Sequence, residues 1–308
     1  MPNEFHSTGK ELNVWRAVGG AVMALMAALA LASCSMVRIG YEAVPTYASW
    51  RLDRYWALDA TQSAYGRDRI AELMRWHRRN ELPEYIRWLS RVNERVQSPI
   101  DLADAVNWRR DLNEFWTRAV RKIVPELSDL VLTLRTEQVE QMNKRMASEN
   151  DDYRKEFLPE DLFERETRRT RRIEERIEER IEYFLGPLTE RQRGIVRDMA
   201  SLMPQSEQVW YQERIARQKG LVATIERVRR PGEKVTDVER DETIWQLTKY
   251  LLSVWAPNDS QRQKALESAM VASDEITVAV LNAATPAQKA ALSRRLSTWA
   301  RDFEDLAR

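Results

Sequence analysis

The sequence has few of the side chains that most often carry enzyme chemistry and metal binding. It contains one cysteine, Cys34, and two histidines, His6 and His77, among 308 residues. A single cysteine cannot form an intramolecular disulfide, and these side chains do not supply the Cys and His sets of the usual zinc sites. The Gly-x-Ser-x-Gly motif of α/β-hydrolases is also missing. We therefore expect no metal, no cofactor and no catalytic residues.

Glycine is scarce as well. The chain has nine glycines, and few of its segments alternate β-branched and polar residues. This composition predicts an all-α fold, either an antiparallel multi-helix bundle or stacked helical hairpins. The spacing of apolar residues and prolines predicts about ten helices joined by short loops. They include Thr46–Leu58, Asp101–Val120 and a separate helix from Pro125 to Met146.

An excess of charge of either sign is absent. The chain has 49 basic and 48 acidic side chains, for a net charge of +1. Proteins that bind nucleic acid usually carry a clear basic excess, so we exclude nucleic acid as a partner. Charged residues nevertheless make up 31% of the chain, and arginine greatly outnumbers lysine. With no disulfide available, stability must come from the packing of helices.

The N-terminus carries an export signal. An apolar run at 17–31 follows Lys10 and Arg16 and is typical of the core of a signal peptide. It is shorter than the roughly 20 apolar residues that a membrane-spanning helix needs. The run leads into small residues and the only cysteine, in the order Leu31-Ala32-Ser33-Cys34. This segment resembles the lipobox of bacterial lipoproteins, which implies cleavage before Cys34 and acylation of its sulfur. An uncleaved membrane anchor is the alternative.

The lipobox resemblance divides the chain into a signal peptide (1–33), a lipidated N-terminus with a short linker (34–45) and a helical domain (46–308). A boundary within the domain is possible near residue 187. The covalent lipid on Cys34 would hold the protein to a membrane. In enterobacterial lipoproteins an aspartate after the cysteine favours the inner membrane, so Ser35 points to the outer membrane of a Gram-negative bacterium. We expect the domain to face the periplasm.

The densest unusual cluster is Trp76-His77-Arg78-Arg79, followed by Glu81-Leu82-Pro83-Glu84-Tyr85. His77 is the only histidine after residue 33, and its reference pKa near 6.5 would suit an acid or a base. The flanking arginines and Glu81 favour instead a polar network that joins two helices across the turn at Pro83. We therefore interpret His77 as structural. Trp76, His77, Arg78 and Tyr85 are candidate interaction residues.

Several motifs resemble those of a domain-of-unknown-function family of proteobacterial lipoproteins. They are the lipobox, Trp76-His77-Arg78 with Leu82-Pro83-x-Tyr85, the run from Tyr153 to Leu158, and Leu185-Gly186-Pro187-Leu188-Thr189-x-x-Gln192. Together they cover most of the stretch from residue 34 to about 200. The resemblance implies an envelope location and a helical fold, and it brings neither catalytic residues nor an activity.

A short pattern recurs at predicted helix starts. Leu188-Thr189-x-x-Gln192 and Ala284-Thr285-x-x-Gln288 share it, and Thr136-Glu137-Gln138 is a looser relative. The Leu-Thr-x-x-Gln pattern resembles that of small periplasmic helical chaperones of the envelope-stress response. It is also an ordinary capping box, in which threonine and glutamine satisfy the free N–H groups of a helix start. The pattern thus predicts helix caps, with a chaperone-like cradle as the alternative.

The helix that ends at Leu185 contains a four-residue repeat, Arg-Ile-Glu-Glu, at 172–175 and 176–179. On a helix this spacing places the isoleucines in one slowly drifting stripe and the arginines in another. The arginine stripe consists of Arg168, Arg172, Arg176 and Arg180. Arginine forks can bind acidic sugars or phosphates, so the stripe is a candidate for a ligand or partner. The alternative is a solvated helix with a narrow buried seam.

Tryptophan is unusually frequent early in the domain. Six tryptophans lie between Trp50 and Trp116, with several arginines nearby. They can line a carbohydrate or peptide groove by stacking, or they can fill the core.

These patterns leave three classes of function open. The first is a non-catalytic interaction module in envelope maintenance, bound to an envelope protein or a glycan. The second is a periplasmic chaperone-like holdase. The third is an enzyme acting on cell-wall polysaccharide, which would use paired carboxylates such as Asp151-Asp152 or Glu160-Asp161. Acids of this kind near helix starts also complement the helix dipole. We expect the interaction module.

Overall fold

The computed structural model describes residues 36–158, 162–202, 207–253 and 260–308. Over these ranges the chain forms eleven α-helices and no strand, which confirms the all-α prediction. The predicted signal peptide, including Leu31, Ala32, Ser33 and the acylation site Cys34, lies outside the described residues. The helices are α1 (Met36–Trp56), α2 (Ala60–Asn80), α3 (Leu82–Arg95), α4 (Leu102–Leu132), α5 (Thr136–Phe157), α6 (Leu162–Leu185), α7 (Glu190–Leu202), α8 (Glu207–Val228), α9 (Asp237–Leu252), α10 (Ser260–Asn282) and α11 (Pro286–Ala307).

Helix starts follow the capping residues in the sequence. Asp59, Thr236 and Thr285 precede α2, α9 and α11, and each accepts a hydrogen bond from the backbone N–H three residues later. The residue at that third position returns the bond to the N–H of the cap, which completes a capping box. Local sequence thus sets these boundaries.

The prediction of a helix break before Pro125 is wrong. The helix α4 runs without interruption from Leu102 to Leu132 and contains Pro125. A proline inside a helix removes one hydrogen bond and costs about 3 kcal/mol. The side chains of Val124 and Val131 on either side are almost fully buried, and their burial offsets that cost.

The first helix begins ten residues earlier than predicted. The helix α1 starts at Met36 and continues through Pro45, so 36–45 is helix rather than a linker. It packs against α2, α5 and α11, and this tertiary packing outweighs the helix-breaking tendency of the proline.

Two hydrophobic cores hold the helices together. The first core contains Trp56, Val124, Met142, Ile225 and Leu247 and involves α1, α4, α5, α8 and α9. The second core contains Leu89, Leu185, Val196, Ile276 and Leu292 and involves α3, α6, α7, α10 and α11. Each core therefore combines early and late segments of the chain. A boundary near residue 187 does not separate them.

The helices form two units with the same pairing pattern. In the first unit, α1 packs against α2 and α5, and α2 packs against α4. In the second unit, α6 packs against α7 and α11, and α7 packs against α10. The helix α3 is inserted between α2 and α4, and α8 and α9 are inserted between α7 and α10. The order of the paired helices along the chain is the same in both units, so the pairing pattern repeats within the fold.

Forked arginine–carboxylate pairs connect helices of different units and insertions. Arg109 on α4 contacts Asp274 on α10 with an Nη2–Oδ2 distance of 2.9 Å. Arg240 on α9 contacts Asp129 on α4 through two hydrogen bonds. Because the planar guanidinium matches a carboxylate with two parallel bonds, these pairs use a property that lysine lacks.

Candidate functional site

Each repeat unit contains a joint at which two capping glutamines meet. In the second unit, Gln192 and Gln288 form capping boxes with Thr189 and Thr285. The side-chain amide of Gln288 donates to Gln192 Oε1 at 2.9 Å and to the Pro187 carbonyl at 2.9 Å. Gln192 is 0% and Gln288 is 6% exposed. The two caps therefore bind each other as well as their own helices.

The first unit contains an equivalent joint between Gln62 and Gln138. Gln138 Nε2 donates to Gln62 Oε1 at 2.6 Å and to the Ala57 carbonyl at 3.2 Å. Ala57 precedes the Asp59 cap by two residues, as Pro187 precedes its own cap. Both glutamines are buried. The joints are thus matching elements of the two units.

The cap of α5 differs from the sequence interpretation. Thr136 is the first helical residue rather than the cap, and Arg135 occupies the cap position. The backbone N–H of Arg135 donates to Gln138 Oε1 at 3.0 Å, which supplies only half of a capping box. The sequence interpretation also misses the Asp59-x-x-Gln62 copy of the pattern. Aspartate caps a helix as well as threonine does, so a search that accepted either residue at the cap would have found the Asp59 copy.

A cavity opens in the second core between α3, α4, α6, α10 and α11. Its volume is about 440 Å³, and apolar side chains form most of its wall. Trp88, Val92, Trp108, Ile181, Phe184 and Val280 are among the lining residues. Arg180 and Ser273 also line it and are exposed, so the cavity reaches solvent at these residues. A volume of roughly 300–1,000 Å³ with mainly apolar walls is usual for small-molecule sites.

Among the cavity residues, Trp88 and Arg180 carry hydrogen-bond donors without a partner in the described ranges. Trp88 Nε1 is buried without a hydrogen-bond acceptor among the described residues. No described carboxylate lies within ion-pair distance of the Arg180 guanidinium. Trp88 Nε1 is closed to contact from the cavity, whereas the exposed Arg180 guanidinium is free to donate to a ligand.

The arginine stripe is only partly within the described side chains. Arg176 and Arg180 are exposed, whereas the side chains of Arg168 and Arg172 lie outside the description. Ile177 and Ile181 pack against the second core. This buried isoleucine seam is the one expected of a solvated helix. Of the two described arginines, Arg180 lines the cavity and Arg176 does not.

The cluster around His77 connects four helices rather than two. The Tyr41 hydroxyl on α1 lies 2.9 Å from His77 Nδ1, and His77 Nε2 lies 3.2 Å from the Tyr85 hydroxyl on α3. A neutral imidazole donates from one nitrogen and accepts at the other, so it satisfies both phenols. Burial lowers the pKa of His77, although the nearby Glu81 carboxylate opposes this shift. Burial, followed by Glu81, raises the pKa of Tyr85 to about 12.

Glu81 has a partner that the sequence does not indicate. Its carboxylate is almost completely buried and accepts two hydrogen bonds from Arg118 on α4, at 2.9 and 2.7 Å. The flanking Arg78 instead lies over the ring of Tyr41, 5.5 Å from its centroid. Trp76 packs edge-on against His77. These contacts join α1, α2, α3 and α4 at the start of α3.

The tryptophans do not form one groove. Trp56 fills the first core, and Trp88 and Trp108 line the cavity. Trp50 and Trp116 are exposed on α1 and α4. The groove hypothesis thus holds for two of the six early tryptophans at most.

The described residues contain no group of three or more potential metal ligands. Asp151 and Asp152 are exposed on α5, while Glu160 and Asp161 fall outside the description. No helix within the described ranges has the length and apolar content to cross a membrane.

The fold and its cavity define an all-α protein made of two matching four-helix units with three inserted helices. Residues 54–250 match DUF6279, a family of unknown function. This match covers more than half of the chain, and the protein belongs to that family. The predicted membership of a family of unknown function is confirmed, and the match extends beyond residue 200. Comparison with curated proteins and with solved structures finds no match.

Proposed function

We propose that the protein is a lipid-anchored outer-membrane lipoprotein whose periplasmic domain binds a component of the cell envelope without transforming it. The observation that carries the binding role is the apolar cavity of about 440 Å³ in the second core. Its wall offers mainly apolar contact to a bound molecule, and the exposed Arg180 offers a charged contact at its edge. A cavity of this composition favours binding through apolar contact, with a few donors selecting the ligand.

The face of α1 supports the proposed attachment to a membrane. Ile39, Tyr47 and Trp50 are exposed on this helix, and Arg54 lies over the Trp50 ring at 4.9 Å from its centroid. The helix begins two residues after Cys34, so an acyl group there would place α1 at the bilayer surface. Aromatic rings and arginines are suited to the interface between water and lipid. We assign this face to the bilayer.

Site-specific crosslinking in cells tests the binding role. A photoreactive amino acid at Ser273, an exposed residue of the cavity wall, should form a discrete adduct with a protein, a glycan or a lipid. The same probe at Arg191, an exposed residue of α7 away from the cavity, serves as the control. An adduct specific to Ser273 supports the proposal. Identical adduct patterns at the two positions would contradict it.

A holdase is the second candidate. The paired caps at Gln192 and Gln288 lie in the pattern that resembles the small periplasmic chaperones. The packed helices α4 and α10 also leave Leu112, Trp116 and Val271 exposed, and unfolded chains bind such apolar surfaces. The mature domain without lipid should then suppress the aggregation of several unfolded clients at near-stoichiometric ratios. Unchanged aggregation with all clients would exclude this candidate and leave the binding role untouched.

A further inference from the structure

The residues that line the cavity follow three helices lengthwise, and we call the space between them the slot. Trp88, Val92 and Val96 lie at successive four-residue steps along one side, and Ile177, Ile181 and Leu185 do so along α6. Eight residues of helix at 1.5 Å per residue give each wall a length of about 12 Å. The third wall comes from α10 between Ser273 and Leu281. Apolar walls of this length can contact an extended hydrocarbon chain along much of its length.

The charge at the mouth is positive and unpaired. Arg180 lies between two wall residues on α6, and no carboxylate of the described chain is within ion-pair distance of it. The interhelical arginines Arg109 and Arg118 each bind a carboxylate of their own. A free guanidinium beside an apolar slot is suited to a carboxylate or phosphate that enters with the ligand.

Trp88 belongs to the same cavity wall and contributes its ring to the apolar surface. Its Nε1 is closed to contact from the cavity, so it offers nothing to a ligand there. Arg180 is the one charged residue of the lining. The ligand therefore combines an apolar chain with an acceptor for that guanidinium.

We propose that the cavity binds an amphiphile that has a hydrocarbon chain and an anionic head group. The chain lies in the slot between α3, α6 and α10, and the carboxylate or phosphate of the head group binds Arg180. This inference rests on the proposed function, since it identifies the ligand of the same site. A free fatty acid and a phosphate-bearing lipid share the required chemistry.

Competition binding tests the proposal with the mature chain from residue 34 carrying Cys34→Ala, so that no acyl group of the protein competes. The neutral fluorophore N-phenyl-1-naphthylamine reports occupancy of the cavity. Laurate, dodecyl phosphate and 1-dodecanol then displace it, and these competitors share one chain and differ in the head group. We expect at least one of the two anions to bind about 10- to 100-fold more tightly than the alcohol, because a charged hydrogen-bonded pair contributes roughly that factor. Preference for laurate indicates a fatty acid, and preference for dodecyl phosphate indicates a phosphate-bearing lipid.

Two substitutions and one control variant localise the effect. Arg180→Gln should remove the preference for the anion and leave the affinity for dodecanol unchanged. Arg176→Gln is the matched control, because Arg176 is exposed on the same helix one turn away and does not line the cavity. Thr277→Trp, which fills the slot from α10, should prevent binding of the probe and of all three competitors. Thermal unfolding confirms that each variant is folded.

The results separate this inference from the proposed function. Equal affinities for the alcohol and both anions, with probe binding that Thr277→Trp abolishes, would overturn the anionic ligand and preserve a binding cavity. An equal effect of Arg176→Gln and Arg180→Gln would likewise overturn the assignment of the head group. If the probe does not bind to the protein, or binds equally well to the Thr277→Trp variant, both the anionic ligand and the binding cavity are contradicted.

Discussion

The side-chain amide of Gln288 donates to the side-chain oxygen of Gln192 across 2.9 Å, between residues that are 96 positions apart. Each glutamine also completes the cap of its own helix, so one contact fixes the starts of α7 and α11 relative to each other. The pair Gln62 and Gln138 does the same in the first unit. Buried amide pairs of this kind specify a register that apolar packing alone would leave less defined.

Loss of either glutamine should destabilise the fold. Gln192→Ala and Gln288→Ala each leave a buried polar group without a partner, so each should lower the free energy of unfolding by about 1–3 kcal/mol. The double variant should lose less than the sum, because the second change removes a group that the first has already left unpaired. Gln263→Ala, at an exposed position of α10, is the control. Denaturant titration measures all four, and additive losses would contradict the pairing.

Removal of Arg118 should be costly, since Glu81 would remain buried without a counter-charge. The side chain of Glu81 is 2% exposed and that of Arg118 is 39% exposed. We expect Arg118→Met to lower the free energy of unfolding by about 3–5 kcal/mol. Arg87→Met, which breaks the exposed pair of Arg87 with Glu84, should change it by less than about 1 kcal/mol. Similar losses in the two variants would show that the burial of Glu81 contributes little.

The lowered pKa of His77 predicts acid sensitivity. The unfolded chain binds a proton near the reference pKa of about 6.5, whereas the folded chain does so only at lower pH. The contribution of neutral His77 to stability is therefore complete above that reference value and is lost as pH falls through the lower folded pKa. His77→Gln, which cannot titrate, should lose less stability than the wild type between pH 7.5 and pH 5. Parallel pH profiles from urea titrations would contradict this role.

Cys34 should determine membrane attachment. Metabolic labelling with palmitate should mark the wild type and leave Cys34→Ala unlabelled. On Triton X-114 partitioning the variant should move from the detergent phase to the aqueous phase, because the acyl chains supply most of the affinity for the membrane. Ser35→Asp tests the sorting expectation, and in an enterobacterial host it should move the labelled protein toward the inner membrane. Palmitate labelling of Cys34→Ala would exclude the predicted acylation site.

The exposed face of α1 should bind lipid without the acyl group. The mature chain with Cys34→Ala should co-sediment with vesicles of phosphatidylethanolamine and phosphatidylglycerol, and Trp50→Ser should weaken this binding about tenfold through lost apolar burial. Trp245→Ser is a closely matched control, because Trp245 is also exposed and also has a cation over its ring. The Lys249 ammonium lies 4.9 Å from the Trp245 ring centroid, and the Arg54 guanidinium lies 4.9 Å from that of Trp50. Equal loss in both variants would contradict a specific role of α1.

Local sequence predicts some features of this fold well and others poorly. The cap at Thr285 places the start of α11 correctly, because a capping box involves only neighbouring residues. Pro125 misleads, since its local cost is outweighed by burial contributed by distant helices. The candidate site likewise has one part that the local sequence indicates and one part that depends on tertiary packing. Arg180 is identifiable as one member of an arginine stripe, but its place at a cavity depends on α3, α4, α10 and α11.

The sequence by itself determines the helical class and most helix boundaries, because periodicity and caps act over short distances. It also predicts lipid attachment at Cys34. Only the tertiary structure decided that the caps meet in pairs, that Arg118 rather than Arg78 neutralises Glu81, and that one arginine of the stripe borders an apolar slot. The two hydrogen-bonded pairs join side chains 37 and 96 positions apart in the chain. Their energies depend on burial, which arises only when the two repeat units and their inserted helices pack together.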